Sequence, residues 1–101
     1  MPRPTPRSPQ LAAANLSRHL GVTVRQFREG KAWSQEALAE KADLNRSYVG
    51  ELERGEAIAS LITLEKLANA FGVSVSHLLA QTERLAQHHV VAGIQLTSIA
   101  C

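Results

Sequence analysis

The stretch SQEALAEKADLNRSYVGELERGE, residues 34–56, carries two short helical patterns separated by only three residues. Ser34 offers an N-cap oxygen to the first helix, and Asn45 offers one to the second. A helix that restarts after so short a turn cannot lie parallel to the one before it. The second helix must therefore cross the first steeply, as in a helix-turn-helix.

The side chains of this stretch meet the requirements of such a crossing. Ala39 supplies a small residue where the two helices approach each other. Asp43 stands at the turn, and aspartate adopts left-handed backbone more readily than most residues. Val49 and Leu52 supply apolar side chains from the second helix. Together these residues predict a helix-turn-helix.

The chain before this stretch divides into an arm and a helical region. Residues 1–10 hold all four prolines together with Arg3 and Arg7, which predicts a flexible proline- and arginine-rich arm. From Leu11 onward, apolar residues recur at helical spacing and predict one or two helices up to Gly30. Gly21 is the expected break or bend.

The chain after the stretch predicts two further helices. Ser60 caps a fourth helix that stops at Gly72, and a fifth helix opens at Ser74 or Ser76. No segment before residue 88 predicts a β-hairpin, so the expected fold class is all-α. We assign residues 11–82 to the helix-turn-helix domain and residues 83–101 to a C-terminal segment.

Length and composition fit one small domain. The 101 residues suffice for a modest core, and 45% hydrophobic with 20% charged residues is ordinary for a globular protein. Cys101 is the single cysteine, which excludes an intramolecular disulfide and a thiolate metal site. No apolar run has membrane-spanning length and the N-terminus is proline-rich, so we expect a cytoplasmic location without membrane contact.

The charges and reactive side chains narrow the function. The net charge is +2, with three arginines and no acid in the first 20 residues. A polyanionic partner must therefore be met by individually placed side chains and a basic arm, because a broad cationic face is missing. The sequence shows no nucleophile triad, phosphate loop or paired carboxylates, and its histidines are scattered. We therefore expect no enzyme, no cofactor and no metal.

Residues 20–80 resemble the Cro/CI-type helix-turn-helix family, the lambda-repressor-like or Xre regulators. The matching motifs are SQEALA, NRSYV, ERG, TLEKLANAFGVS and a final LL. The resemblance implies a compact five-helix domain with the helix-turn-helix at helices 2 and 3. It also implies binding to double-stranded operator DNA, usually as a homodimer.

The resemblance assigns roles by position. Arg28 and Glu53 occupy the places of a structural ion pair that fixes how the helices cross. Seven residues at the start of helix 2 and along the recognition helix are the candidates for DNA binding: Gln35, Asn45, Arg46, Ser47, Tyr48, Glu51 and Arg54.

Among these candidates Arg46 carries the strongest expectation, because an arginine at the start of a recognition helix can donate two hydrogen bonds to guanine O6 and N7. Gln35 can meet a phosphate or act as a first-turn polar residue, and Ser47 can bond to a base edge or a phosphate. Tyr48 reaches DNA with its hydroxyl or packs as a partly buried residue.

Alternatives also stay open for the remaining charged candidates. Glu51 accepts from cytosine N4 or orients Arg46 or Arg54 on the surface. Arg54 resembles a phosphate contact of the family, with a solvated surface charge as the alternative.

The loop after Gly55 departs from the family. It reads EAIAS, where the family often has basic or amide residues and a proline, so fewer phosphate contacts are expected. The affinity for DNA is then expected to depend more on dimerisation and on the arm with Arg3 and Arg7. This arm either contacts the DNA or is a plain linker.

The C-terminal segment carries no charge after Arg84 and is rich in valine and isoleucine. As a helix or a strand it can pair with its twin about a two-fold axis, or it can fold back over its own domain. The sequence thus predicts a DNA-binding regulator, either a repressor or an autoregulating controller. The alternative is an antitoxin-like or other protein-interaction module that binds a partner through this segment.

Overall fold

The described part of the chain folds into five α-helices. The computed structural model describes the backbone of residues 9–100 and the side chains of residues 15–87. The helices are α1 (Pro9–Gly30), α2 (Gln35–Ala42), α3 (Arg46–Glu53), α4 (Leu61–Phe71) and α5 (Val75–Ala100). No strand occurs within residues 9–100. The prediction of an all-α, five-helix domain is confirmed.

The apolar stripes of the helices meet in one core. α1 packs against α3 and α5, and α2 packs against α3 and α4. Thr82 donates to the Thr23 hydroxyl over 3.1 Å and Gln81 pairs with Gln26, so α5 runs antiparallel to α1. The buried apolar residues are Leu20, Val24, Leu38, Ala39, Ala42, Val49, Leu52, Leu64, Leu67, Ala68, Phe71 and Leu78.

The connection between α2 and α3 has the predicted helix-turn-helix chemistry. The Ser34 hydroxyl accepts a hydrogen bond from the Ala37 N–H over 3.0 Å, and Asn45 Oδ1 accepts one from the Ser47 N–H over 2.8 Å. Asp43 adopts a φ of 56°, in the left-handed region. The predicted caps and the left-handed turn residue are confirmed.

The same type of helix end recurs along the chain. At the end of α2, Leu44 N–H donates to Ala39 O over 2.8 Å and Asp43 N–H donates to Glu40 O over 3.3 Å. These two bonds form a Schellman motif, which satisfies carbonyls that would otherwise lack partners. Helices α1, α3 and α4 are also followed by left-handed residues with equivalent bonds, which are Ala32, Gly55 and Gly72 respectively.

Gly21 does not break α1, so the predicted break at this position is wrong. The helix is continuous through this buried position, where α1 lies against the backbone of α3. A Cβ atom here would collide with the Leu52 carbonyl oxygen and lie 2.7 Å from the Glu53 carbonyl oxygen. Glycine is therefore needed for a close approach of two helices, and its place inside a helix is a packing requirement.

α1 begins inside the stretch predicted as an arm. Pro9 and Gln10, its first two residues, are helical. Proline is well tolerated in the first turn, because its missing N–H would have no partner inside the helix. The rest of the arm, residues 1–8 with Arg3 and Arg7, lies outside the described residues.

The last helix extends beyond the predicted domain. The Ser74 hydroxyl accepts from the His77 N–H over 3.0 Å, which identifies Ser74 as the cap of α5 in preference to Ser76. The backbone stays helical to Ala100, so the predicted boundary after residue 82 falls inside a helix. Within the described residues, no helix combines the length and the apolar character required to cross a membrane.

The two helical glycines of α1 provide a matched test of the close approach. Gly21→Ala should destabilise the protein by about 3 kcal/mol or more, since two backbone carbonyls cannot move away from the added methyl group. Gly30→Ala, which meets no atom within 4 Å, should be neutral or stabilising by up to about 1 kcal/mol. Urea unfolding measures both. Equal effects of the two substitutions would contradict the assigned role of Gly21.

Candidate nucleic-acid interface

The exposed side of α3 forms a short polar surface. Arg46 opens the helix, and Gly50 and Arg54 follow at intervals of four residues, which places the three positions on one side of α3. Ser47 and Glu51 are exposed on the adjoining stripe. This surface is the part of the helix-turn-helix that remains accessible after α3 has buried Val49 and Leu52 in the core.

Arg46 points its charge into solvent. The residue is exposed, and no described residue forms a hydrogen bond or an ion pair with its guanidinium. Asn45 beside it uses its amide oxygen to cap α3, so the amide nitrogen is the part of its side chain left for another partner. The N–H groups of this guanidinium, at the start of a helix, can donate two hydrogen bonds to a planar pair of acceptors such as guanine O6 and N7.

Arg28 and Glu53 form a buried, bidentate ion pair. Arg28 Nε lies 2.6 Å from Glu53 Oε2 and Arg28 Nη2 lies 3.0 Å from Glu53 Oε1. The side chains are only 13% and 4% exposed. Arg28 Nη1 also donates to the Trp33 carbonyl over 2.9 Å. The pair thus connects α1, the turn before α2 and the end of α3.

The ion pair also sets the protonation of Arg28. The hydrogen bond to Glu53 raises the pKa of the Arg28 guanidinium above its usual value. Burial opposes this shift, while the negative charges of Glu53 and Glu29 add to it. Because a raised arginine pKa favours the folded protein at every pH below the ordinary arginine value, this contribution is lost only at more alkaline pH.

Gln35 lies at the junction of α2 and α3. Its Nε2 donates to Glu53 Oε1 over 3.0 Å, and its Oε1 is 3.7 Å from the position that a Cβ of Gly50 would take. The sequence offered a first-turn polar residue or a phosphate contact. The structure shows a contact that neither alternative included: the hydrogen bond to Glu53 orients the Gln35 amide beside α3. The second N–H of the amide remains available for another acceptor.

Tyr48 combines packing with weak polar contacts. It is half-buried, it packs against the core, and its hydroxyl lies 3.4 Å from both the Ile58 carbonyl oxygen and the Thr63 hydroxyl. Both distances are long for hydrogen bonds that involve a hydroxyl group. The structure therefore places Tyr48 between α3 and the loop that follows, at the side of the exposed surface.

Glu51 and Arg54 differ in their surroundings. No ion pair within the described residues joins Glu51 to Arg46 or Arg54. Arg54 Nε donates to Glu56 Oε1 over 3.0 Å, and Arg54 Nη1 lies 3.1 Å from the position of a Gly50 Cβ. The guanidinium of Arg54 thus lies back over the middle of α3. Neither Gly50 nor Glu56 was among the predicted site residues.

The α3–α4 loop and the first turn of α4 present apolar side chains to solvent. Ile58, Leu61 and Ile62 are 66–79% exposed. The local sequence around these residues does not indicate whether their side chains are buried or exposed, so this exposure could not be predicted. This edge of the candidate interface carries Glu56 and no basic residue between Gly55 and Leu61.

Comparison with known proteins assigns the central part of the chain. Residues 24–78 match the family model described as helix-turn-helix. Control protein C.BamHI of Bacillus amyloliquefaciens is 42% identical over 66 residues, which cover 64% of this chain and 82% of that protein. The chain spans only part of other curated relatives: it covers 57% of a hypothetical transcription factor of Neisseria meningitidis and 37% of the regulator SutR of Escherichia coli.

Solved structures have the same arrangement of helices. The restriction-modification controller protein C.AhdI from Aeromonas hydrophila superposes with a TM-score of 0.60 at 40% identity, over 61% of this chain and 94% of that one. The biofilm regulator SinR, solved in complex with DNA, superposes with a TM-score of 0.57 at 38% identity, over 59% and 97% of the two chains.

The buried ion pair can be compared with an exposed one in the same protein. Glu53→Leu should destabilise the fold by about 3–5 kcal/mol, since it strands the Arg28 charge in a mostly buried position. Adding Arg28→Met to Glu53→Leu should recover a large part of this loss. Arg25→Met, which breaks the exposed Arg25–Glu29 pair and keeps the charge of Glu29 near Arg28, should cost less than about 1 kcal/mol. Urea unfolding measures the free energy of unfolding of each variant. Similar losses for the buried and the exposed pair would contradict the structural role assigned to Arg28 and Glu53.

Proposed function

Since the chain belongs to the helix-turn-helix family, we propose that it is a sequence-specific DNA-binding regulator of transcription, either a repressor or an autoregulating controller. In this proposal α3 enters the major groove of double-stranded operator DNA, and the protein acts by occupying that site. As a member of this family of DNA-binding regulators the protein is not an enzyme.

The observation that carries the proposal is the outward guanidinium of Arg46 on a rigid support. Asn45 caps the helix, and the buried pair of Arg28 and Glu53 fixes the helix against α1. The similarity to SinR, whose structure was solved with DNA, and to the controller protein C.AhdI supports the same function. Gln35, Ser47, Tyr48, Glu51 and Arg54 surround this centre as candidate DNA contacts.

We further propose that the protein acts as a homodimer, with the C-terminal part of α5 as the pairing element. No residue after Arg84 is charged, so this stretch of helix has no electrostatic reason to remain in water. A two-fold axis through it would place two copies of α3 on successive major grooves, about 34 Å apart. A cytoplasmic location stays a prediction.

A second candidate function is a protein-interaction module with the same fold. The exposed Ile58, Leu61 and Ile62 beside α3 favour it, together with the uncharged end of α5. Purification of the protein from its native cell distinguishes the two functions. A stoichiometric protein partner that is lost from a chain ending at Gln87 would support the interaction module and its site in the C-terminal segment.

Selection of bound duplexes from random sequence, at a stated salt concentration, tests DNA recognition. The natural protein should enrich a palindromic site. Arg46→Ala should lower affinity by about 5- to 150-fold for each half-site, which corresponds to one bidentate base contact, and the loss for a dimer on the palindrome should be roughly the square of that factor. The base preference at one position in each half-site should relax at the same time.

Arg84→Ala is the matched control for that experiment. Arg84 is an exposed arginine that hydrogen-bonds to Gln81 on α5, and α5 packs against α1 and α4. Its replacement should leave affinity within about twofold of the natural protein. The proposed function would be rejected if the natural protein enriched no sequence, or if Arg46→Ala and Arg84→Ala behaved alike.

Removal of residues 88–101 tests the dimer. We expect the natural protein to sediment as a dimer and the chain ending at Gln87 to sediment as a monomer that still unfolds cooperatively. The shortened chain should bind a single half-site as well as a full palindrome, because the gain from linking two sites is lost. A shortened chain that remains dimeric would show that the pairing surface lies elsewhere.

A further inference from the structure

The side chain of Arg54 takes an unexpected course along α3. Its backbone caps the end of the helix, yet its Nη1 atom lies 3.1 Å from the position of a Cβ on Gly50, one turn earlier. The guanidinium therefore does not extend away from the helix end. It lies back along the exposed side of α3, over the one residue of α3 that has no side chain.

Gly50 is buried although it belongs to the exposed side of the helix. The atoms nearest to its missing Cβ are the guanidinium of Arg54 and the amide oxygen of Gln35, at 3.1 and 3.7 Å. Glycine in the middle of a helix destabilises it relative to alanine, and the position has no positive φ that would require glycine. The local fold thus gives no reason for glycine here, whereas the path of Arg54 does.

Glu56 also contacts the guanidinium of Arg54. Its Oε1 accepts from Arg54 Nε over 3.0 Å, and both side chains remain more than half exposed. With Nε occupied, the two Nη groups of Arg54 remain free to donate, and Arg54 Nη1 and Gln35 Oε1 of α2 lie within 4 Å of the same point, the position of a Gly50 Cβ. Gln35 is fixed in turn by its bond to Glu53.

We propose that Gly50 is a positioning residue, whose missing side chain directs Arg54 across α3 so that Arg54 and Gln35 contact one and the same DNA phosphate. A guanidinium and an amide N–H both donate to phosphate oxygens, and the side chain of Arg54 is 58% exposed. The inference rests on the proposed function, because it requires α3 to lie in a groove of DNA. In this proposal Arg54 contacts the DNA backbone that lies beside α2. It does not contact the DNA backbone that lies beside the α3–α4 loop.

The test maps individual phosphates on the selected operator. Each phosphate is replaced in turn by an uncharged methylphosphonate, and affinity is measured for the natural protein and for Arg54→Ala, Gln35→Ala and Gly50→Leu. One replacement should weaken the natural protein severalfold. The same replacement should have little effect on Arg54→Ala and Gly50→Leu and a reduced effect on Gln35→Ala.

Salt dependence and stability separate positioning from a structural role. Gly50→Leu should lower the slope of log affinity against log salt concentration by about 0.9 for each subunit, and so by about 1.8 for a dimer on the palindrome, as expected for the loss of one phosphate contact per subunit. Its melting temperature should not fall, since leucine favours the helix. Combining Gly50→Leu with Arg54→Ala should weaken binding no further than Arg54→Ala alone. Gly50→Ala should lie between the natural protein and Gly50→Leu.

Gly30→Leu is the control, because Gly30 is a helical glycine with no atom within 4 Å of its Cβ position. It should keep the phosphate profile of the natural protein. The inference is overturned if Gly50→Leu and Gly50→Ala retain the natural profile and slope, or if Arg54 and Gln35 depend on different phosphates. A natural protein that binds no selected duplex would instead reject the proposed function itself.

Discussion

The carboxylate of Glu53 joins three helices at one point. It accepts two hydrogen bonds from Arg28 of α1 and one from Gln35 of α2, while its own backbone closes α3. Removing such a group from water is costly, and only charge-assisted bonds of good geometry offset that cost. The three helices therefore cannot shift relative to one another without leaving a buried charge unpaired. The direction of Arg46, at the other end of α3, depends on this arrangement.

The contact at Gly21 strengthens the same arrangement through sterics. α1 lies against the carbonyl groups of Leu52 and Glu53, so the closest backbone approach and the ion pair occur at the same end of α3. A larger residue at position 21 would move α1 away and lengthen the bonds from Arg28. The position of α3 is thus fixed by a short-range electrostatic contact and a steric one, which act together.

Features that depend on neighbouring residues could be predicted from the sequence, and features that depend on distant ones could not. The caps at Ser34 and Asn45 and the left-handed Asp43 follow from local chemistry, because each involves groups within a few residues. The role of Gly21 depends on α3, which is distant along the chain. The same holds for Arg28 with Glu53, which a family resemblance indicated and periodicity alone would have missed.

Within the proposed function, the shortage of basic residues after Gly55 lowers the affinity for non-specific DNA and the affinity for the operator together. Phosphate contacts supply most of the affinity for DNA of any sequence, whereas base contacts such as that of Arg46 supply discrimination. A surface with few phosphate contacts binds both operator and competing DNA weakly, but the ratio between the two is kept. Two linked half-sites then restore affinity for the operator alone, because competing DNA does not offer a matched pair of sites. Dimerisation is therefore the step on which useful binding by this chain depends.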